Sequence, residues 1–241
     1  MTTAYGPYVA RVRAARRPSG GVVLLEGVHA LKHAVRFGAD VEVALTPDLG
    51  ALRALFADLA PDVTLPDTTL EVDAATWRTL TDGRELPSPA LSVAARPAID
   101  ATDVLASTGR VVVLESPRHL GNLGAVVRVA AAADAGGVLV VGDADPWHPT
   151  AIRAGAGLQF ALPVARVDEL PATTRPLVAL DAAGEALDRL PHDAVLLFGT
   201  ERGGLSDELR ARADRHVAIA MRPGVSSLNL ATAAAAVLFA R

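Results

Sequence analysis

The chain has 241 residues, 51% of them hydrophobic and 21% charged, enough for one large or two small packed cores and incompatible with a mainly disordered protein. The net charge of −4 argues against holding RNA or DNA by bulk basicity and leaves room only for local arginine patches. With no cysteine, disulfides, thiolate zinc sites, iron–sulfur clusters and a cysteine nucleophile are excluded.

Arg11, Arg13, Arg16 and Arg17 occupy the region where a signal peptide would need an apolar run. The longest apolar stretch, Leu228 to Ala240, is shorter than the roughly 20 residues of a membrane span, so a cytoplasmic protein with no membrane partner is expected. The basic start ends at Pro18-Ser19-Gly20-Gly21. Val22–Leu25 then reads as a strand, Gly27–Phe37 as a helix, Val41–Leu45 as a strand and Ala51–Leu59 as a helix stopped by Pro61. Val63–Leu65 and Leu91–Ala94 read as strands around a helix near Asp73–Leu80, completing a small α/β domain over residues 1–100. Prolines at 87, 89 and 97 mark a boundary between about Pro97 and Ser107.

From 107 to 241 the alternation is clearer. Strands are expected at Val111–Leu114, Val138–Val141, Phe160–Val164, Leu177–Leu180, Ala194–Phe198 and His216–Ala220. Helices are expected at Leu123–Asp134, Thr150–Gly155, Leu205–Arg212 and Ser227–Ala240. Continuous apolar strands separated by helices imply an α/β fold with a parallel sheet covered on both faces.

Three loops leave the carboxyl ends of strands, the edge where open α/β sheets bind ligands. The first is SPRHLGNLG, Ser116 to Gly124, with Asn122 as the expected helix cap and Arg128 on the following helix. The second is FGTERGGLS, Phe198 to Ser206, where glycines surround Glu201. The third is IAMRPGVSSLNL, Ile219 to Leu230, where Ser226 or Ser227 is expected to cap a helix and Asn229 falls in its first turn. Taken singly, each loop also fits a plain turn or cap. Neither GxGxxG nor GxxxxGK[ST] nor GxSxG occurs. His29 and His33 lack a third ligand and read as surface residues, so no metal is expected.

Together, in order and spacing, the three loops resemble the motifs of the SpoU/TrmH family of RNA ribose 2′-O-methyltransferases, in the knotted SPOUT superfamily. Asn122, Gly124 and Arg128 match the first motif; Gly199, Glu201, Gly204 and Leu205 the second; Ile219, Met221, Ser227, Leu228 and Asn229 the third. Residues 145–164 look like the family's connecting segment. Ala220, Ala231 and Gly155 depart from the usual pattern. Glu26-Gly27 before a helix makes the first domain similar to the small RNA substrate-binding domain of many members.

The resemblance implies a C-terminal deep trefoil knot, S-adenosylmethionine as cofactor, a homodimer whose interface builds the active site, and RNA as substrate, with rRNA favoured over tRNA. It implies a catalytic set of Arg128, Asn122, Glu201, Ser227 and Asn229, and a cofactor set of Leu180, Asp181, Gly199, Glu201, Ile219, Met221 and Leu228. RNA contacts are expected from a basic N-terminal arm carrying Arg13, Arg16 and Arg17, and from Arg118, Arg153 and Arg202, with Arg222 also near the site. A Rossmann-like methyltransferase would want paired lysines for this chemistry, and Lys32 is the only lysine. An inactive RNA-binding dimer of the same fold is the non-enzymatic alternative.

Overall fold

The structure is a computed structural model and describes residues 5–17, 21–200 and 203–240. The chain forms two compact units, Met1–Pro97 with Trp147–Ala161, and Ala98–Pro146 with Leu162–Arg241. The excursion of Trp147–Ala161 into the N-terminal unit has no counterpart in the expected division near residue 100, because no composition change marks it.

In chain order the first elements are α1 (Gly6–Ala15), β1 (Val22–Glu26), α2 (Val28–Arg36), β2 (Val41–Thr46), α3 (Leu49–Leu59), β3 (Thr69–Glu71), α4 (Ala74–Leu80) and β4 (Leu91–Ala95). They form a four-stranded mixed sheet of order β1-β4-β2-β3, in which only β2 and β3 run parallel. Asp48 and Asp73 cap α3 and α4 by accepting from the amides of Ala51 and Thr76. One apolar cluster joins Val22, Leu24, Val43, Leu45, Leu91 and Val93 to Val12 and Ala15 of α1, and a second lies under α2 and α3.

The basic start is therefore a helix docked on the sheet rather than a free arm. Its apolar residues supply a buried edge, and Arg11 is tied down by a two-pronged pairing with Glu42 at 2.5 and 2.6 Å. The expected strand at Val63–Leu65 is absent, and the pairing strand is β3, six residues on.

The later elements are α5 (Ala101–Ala106), β5 (Val111–Glu115), α6 (Leu120–Ala132), β6 (Gly137–Val141), α7 (Pro149–Ala154), a 3₁₀ turn at Leu158–Phe160, β7 (Val164–Val167), β8 (Leu177–Ala186), β9 (Val195–Phe198), α8 (Asp207–Arg212), β10 (Arg215–Ala218) and α9 (Leu230–Leu238). Of these, α7 and the 3₁₀ turn belong to the N-terminal unit. The C-terminal unit has a six-stranded, wholly parallel sheet of order β10-β8-β9-β5-β6-β7. Val111, Val113, Leu139, Val195 and Leu197 face one core with Val104 of α5 and Leu209 of α8. Alternate residues point to the other face, where Leu123, Val126, Val127 and Ala130 of α6 are buried and α6 packs on α9.

Strand order reverses between β5 and β9, the kind of switch point beside which open α/β sheets bind ligands. The backbone amide of Ser206 donates to Glu115 Oε2 at 2.7 Å, tying the loop after β9 to the end of β5.

Candidate cofactor cavity and active-site residues

β8 is longer than the sequence suggests and is interrupted. Its first residues pair with β10 at Val178–Arg215 and Ala179–His216, and pairing resumes only at Glu185–Val217. The residues between bulge out of the ladder. Gly184 makes the bulge possible, since a Cβ there would lie 2.6 Å from the carbonyl carbon of His216.

Leu180, Asp181 and Ala182 of this bulge form one wall of a cavity of about 150 Å³. Val217, Ala218, Ile219 and Met221 form the next wall, and Ser226, Ser227, Leu228 and Ala233 close it. The lining is mainly apolar with few polar groups, the composition of a small-molecule site. Asp181 is held from behind: its Oδ1 accepts from the amide of Ala183 at 3.0 Å, and its Oδ2 lies 3.5 Å from Arg210 Nη1 and 3.9 Å from His216 Nδ1.

Asn229 fixes the far end of the third loop. It, and not Ser226 or Ser227, caps α9, its Oδ1 accepting from the amides of Ala231 at 2.9 Å and Thr232 at 3.4 Å. The helix starts later than the serines predicted because the chain turns at Pro223-Gly224 and then runs exposed and non-helical through Leu228. The other end of the same amide, Nδ2, donates to Asn122 Oδ1 at 3.0 Å. Asn122 is likewise not a cap: α6 begins at Leu120 after His119, so Asn122 lies in its first turn with its side chain directed at the third loop.

Gly199 follows β9 and is required by packing. A Cβ there would lie 2.0 Å from the carbonyl carbon of Gly204 and 2.1 Å from the amide nitrogen of Leu205. The loop closes on itself through Thr200 and Gly204, which exchange backbone hydrogen bonds of 3.0 and 3.1 Å, while Thr200 Oγ1 accepts from the amide of Gly203 at 2.9 Å. Glu201 and Arg202 lie outside the described residues.

Arg128 is exposed on α6 and does not line the cavity. It stands six residues beyond Asn122, about 9 Å along the helix axis and on a different face. Arg118 and Arg222 are exposed in the C-terminal unit. Arg153 is part of the N-terminal unit, where it donates to Glu26. Arg13 of α1 and Arg17 just beyond it are exposed, whereas Arg16, which follows the helix, is engaged by Asp82 and the carbonyl of Leu80. His33 is half-buried, its Nδ1 2.7 Å from the carbonyl of Ala156, and is not the surface residue expected.

Residues 109–239 match the family model described as the SpoU rRNA methylase family. The chain belongs to this family. The SpoU chain is 30% identical over 242 residues to the 23S rRNA (uridine(2479)-2′-O)-methyltransferase of Streptomyces viridochromogenes, covering 93% of this chain and 83% of that one. It is also 30% identical over 244 residues to the 23S rRNA (adenosine(1067)-2′-O)-methyltransferase of Streptomyces azureus, covering 93% and 88%. Among solved structures it resembles the SpoU methyltransferase AviRb from Streptomyces viridochromogenes in complex with the cofactor AdoMet, with TM-score 0.80 and 26% identity over 96% of this chain and 95% of that chain.

Several features of this SpoU chain had little or no signal in its sequence. Ala182, Val217, Ala218, Ser226 and Ala233 line the cavity without belonging to any motif residue set. The bulge glycine, Gly184, lies beyond the expected strand Leu177–Leu180 and was not marked there. A larger hollow of about 910 Å³ at the amino ends of the strands is remote from all three loops, and two of its cations are already engaged. Arg110 donates to the carbonyls of Leu190 and Pro191, and Arg215 pairs with Glu185 and Asp188. Among the described residues no cluster of three or more His, Asp or Glu is placed to hold a metal, and no helix is long and apolar enough to cross a membrane.

Proposed function

We propose that the protein transfers a methyl group from S-adenosylmethionine to a ribose 2′-hydroxyl of ribosomal RNA. The observation that carries this reading is the convergence of Leu180, Asp181, Ile219, Met221, Ser227 and Leu228 on one cavity, beside the Asn229–Asn122 bridge. Relatives named as 23S rRNA 2′-O-methyltransferases and the AdoMet complex of a structural neighbour support it.

The residues present fit the cofactor. Leu180, Ile219, Met221 and Leu228 offer apolar faces for an aromatic base, and the interrupted β8–β10 ladder leaves backbone groups free to recognise its edge. The enclosed space, about 150 Å³, is about half the lower end of volumes that enclose a drug-sized ligand. It therefore takes one part of the molecule, with the remainder lying along the exposed third loop. When bound, the cofactor supplies an electrophilic methyl on a sulfonium. Glu201 serves that positive charge or holds an arginine.

Arg128 grips the phosphate beside the target ribose through paired N–H donors. A guanidinium does not act as a base in proteins, so the 2′-hydroxyl proton passes to a phosphate oxygen while Arg128 balances the developing charge. Asn122, Ser227 and Asn229 orient the ribose and the third loop.

Arg128 lies outside its own chain's cavity, which favours a homodimer in which the two copies complete each other's sites. Val225, Leu228 and Phe239 are 45%, 40% and 57% exposed, an apolar surface suited to the partner copy. The placement of β9 between β8 and β5 is compatible with a C-terminal deep trefoil knot. We place the enzyme in the cytoplasm, where its substrate is made, and read residues 1–100 as an RNA substrate-binding domain.

The test is methyl incorporation from labelled S-adenosylmethionine into deproteinised rRNA and, separately, tRNA, followed by mapping of 2′-O-methyl sites. Label in rRNA at a 2′-oxygen is expected. Label in tRNA alone transfers the reading to that substrate. RNA binding without label leaves an inactive RNA-binding dimer.

A further inference from the structure

Glu26, the last residue of β1, is a charged side chain only 2% exposed. Burying a carboxylate is costly unless cations and hydrogen bonds replace its water. Glu26 has two such cations, one per oxygen. Arg84 Nη2 donates to Oε1 at 2.7 Å, and Arg153 Nη1 donates to Oε2 at 2.5 Å. The arginines come from distant stretches of the N-terminal unit, Arg84 from the turn after α4 and Arg153 from the last turn of α7.

One guanidinium would neutralise one carboxylate. Here two are spent on it, and both remain open to solvent, with side chains 48% and 42% exposed. A guanidinium has five N–H donors, and Glu26 uses one from each arginine. The cluster extends further. Arg16 meets Asp82 and the carbonyl of Leu80, and its guanidinium is pushed below its ordinary pKa by burial and then by the positive charges of Arg84 and, more weakly, Arg13. Three arginines thus share two carboxylates, a local excess of positive charge on a chain of net charge −4, and Arg13 is exposed on α1 one turn before Arg16.

We infer that Glu26 is a positioning residue that sets Arg84 and Arg153 as a forked clamp for an RNA phosphate, with Arg16 and Arg13 continuing the track. The buried carboxylate fixes the inner edge of each guanidinium and turns the unused donors outward, the pre-organisation that bidentate phosphate recognition needs. This deepens the rRNA reading and rests on it. Arg84, outside every motif, becomes a substrate-binding residue.

The competing explanation is a structural latch that holds α7 to β1. Fluorescence anisotropy with dye-labelled, deproteinised 23S rRNA, titrated at several salt concentrations, separates the two. For the clamp, Arg84→Ala and Arg153→Ala each reduce the slope of log affinity against log salt by about 0.7–0.9, the value for one phosphate contact. Arg84→Lys restores the slope. Glu26→Gln gives the sharpest division. It adds one net positive charge, so if Glu26 merely offsets its neighbours the variant binds RNA more tightly. If Glu26 positions the clamp, the variant binds more weakly.

Circular dichroism and cofactor titration accompany each variant. Should Glu26→Gln fail to fold, Arg84→Ala and Arg84→Lys still decide, because Arg153 remains on Glu26 in both. Wild-type slopes in Arg84→Ala and Arg153→Ala overturn the clamp while leaving the rRNA reading in place. A wild-type protein that binds no RNA overturns both.

Discussion

Asn229 performs two tasks with one amide, and substitutions can separate them. Its Oδ1 caps α9, and its Nδ2 reaches Asn122 on α6. Replacing it with alanine removes both. Loss of an asparagine cap costs about 1 kcal/mol, and a side-chain hydrogen bond of this exposed kind contributes about 0.5–1 kcal/mol. The sum is about 1.5–2 kcal/mol, which for a chain of this length lowers Tm by about 3–8 °C. Serine also caps helices but is too short to span to Asn122. Asn229→Ser therefore retains most of the stability, within about 1 kcal/mol of wild type. It loses the tie that sets the third loop against α6, so methyl transfer falls steeply. Differential scanning calorimetry and single-turnover methyl transfer on the two variants check this. Equal Tm for the alanine and serine variants would refute the cap argument. Full turnover in Asn229→Ser would refute the claim that the bridge organises the site.

Other substitutions test the remaining elements. Gly199→Ala forces a Cβ to within 2.0–2.3 Å of the Gly204–Leu205 backbone, so the Thr200–Gly204 loop rearranges at a cost of at least about 1–3 kcal/mol and calorimetric cofactor affinity drops, while Gly203→Ala, facing only Thr200 Oγ1 at 3.0 Å, is milder in both assays. Arg128→Ala abolishes turnover and leaves S-adenosylmethionine affinity nearly intact; the reverse pattern would remove Arg128 from the chemistry. Burial depresses the pKa of His33 below its ordinary 6.5. The unfolded chain then binds the proton first, so stability falls as pH drops below about 6.5, and a melting series on His33→Gln shows a shallower loss. Arg11 lowers the pKa of Glu42 through their hydrogen bonds, so this exposed pair stabilises above about pH 4.5 and is lost in more acidic solution. The extra acid sensitivity of wild type over Arg11→Met in equilibrium unfolding measures it.

What the sequence revealed depended on how strongly each segment advertised its period. Val111–Leu114 and Val138–Val141 are continuous apolar runs, and both are central strands. Thr69–Glu71 is a short strand with no buried residue, so nothing apolar announced it, and Val63–Leu65, held between Pro61 and Pro66, mimicked a strand instead. The expected strand Phe160–Val164 is absent as such: Phe160 closes the 3₁₀ turn, and β7 begins at Val164 directly after Pro163, which has no amide to donate. Helix α5 lay inside the presumed linker although Asp100 and Asp103 form a capping box that could have exposed it. Within the site, the motif residues Ile219, Met221, Ser227 and Leu228 do share a cavity. The bulge of β8 was illegible because it depends on how Gly184 passes His216 of β10, a strand distant in sequence. The Glu26 cluster was equally hidden, since its arginines are 58 and 127 residues away in sequence.

The path of Trp147–Ala161 has a consequence for biosynthesis. The N-terminal unit is sewn from two separated pieces of chain, with α7 lying against β1. As the polypeptide leaves the ribosome, β1 emerges early, yet the carboxylate of Glu26 must wait for Arg153 until β5 and β6 of the other unit have already been made. The first domain to begin folding is thus unable to finish alone, and vectorial synthesis delivers the two units as interleaved intermediates rather than as beads completed one after the other.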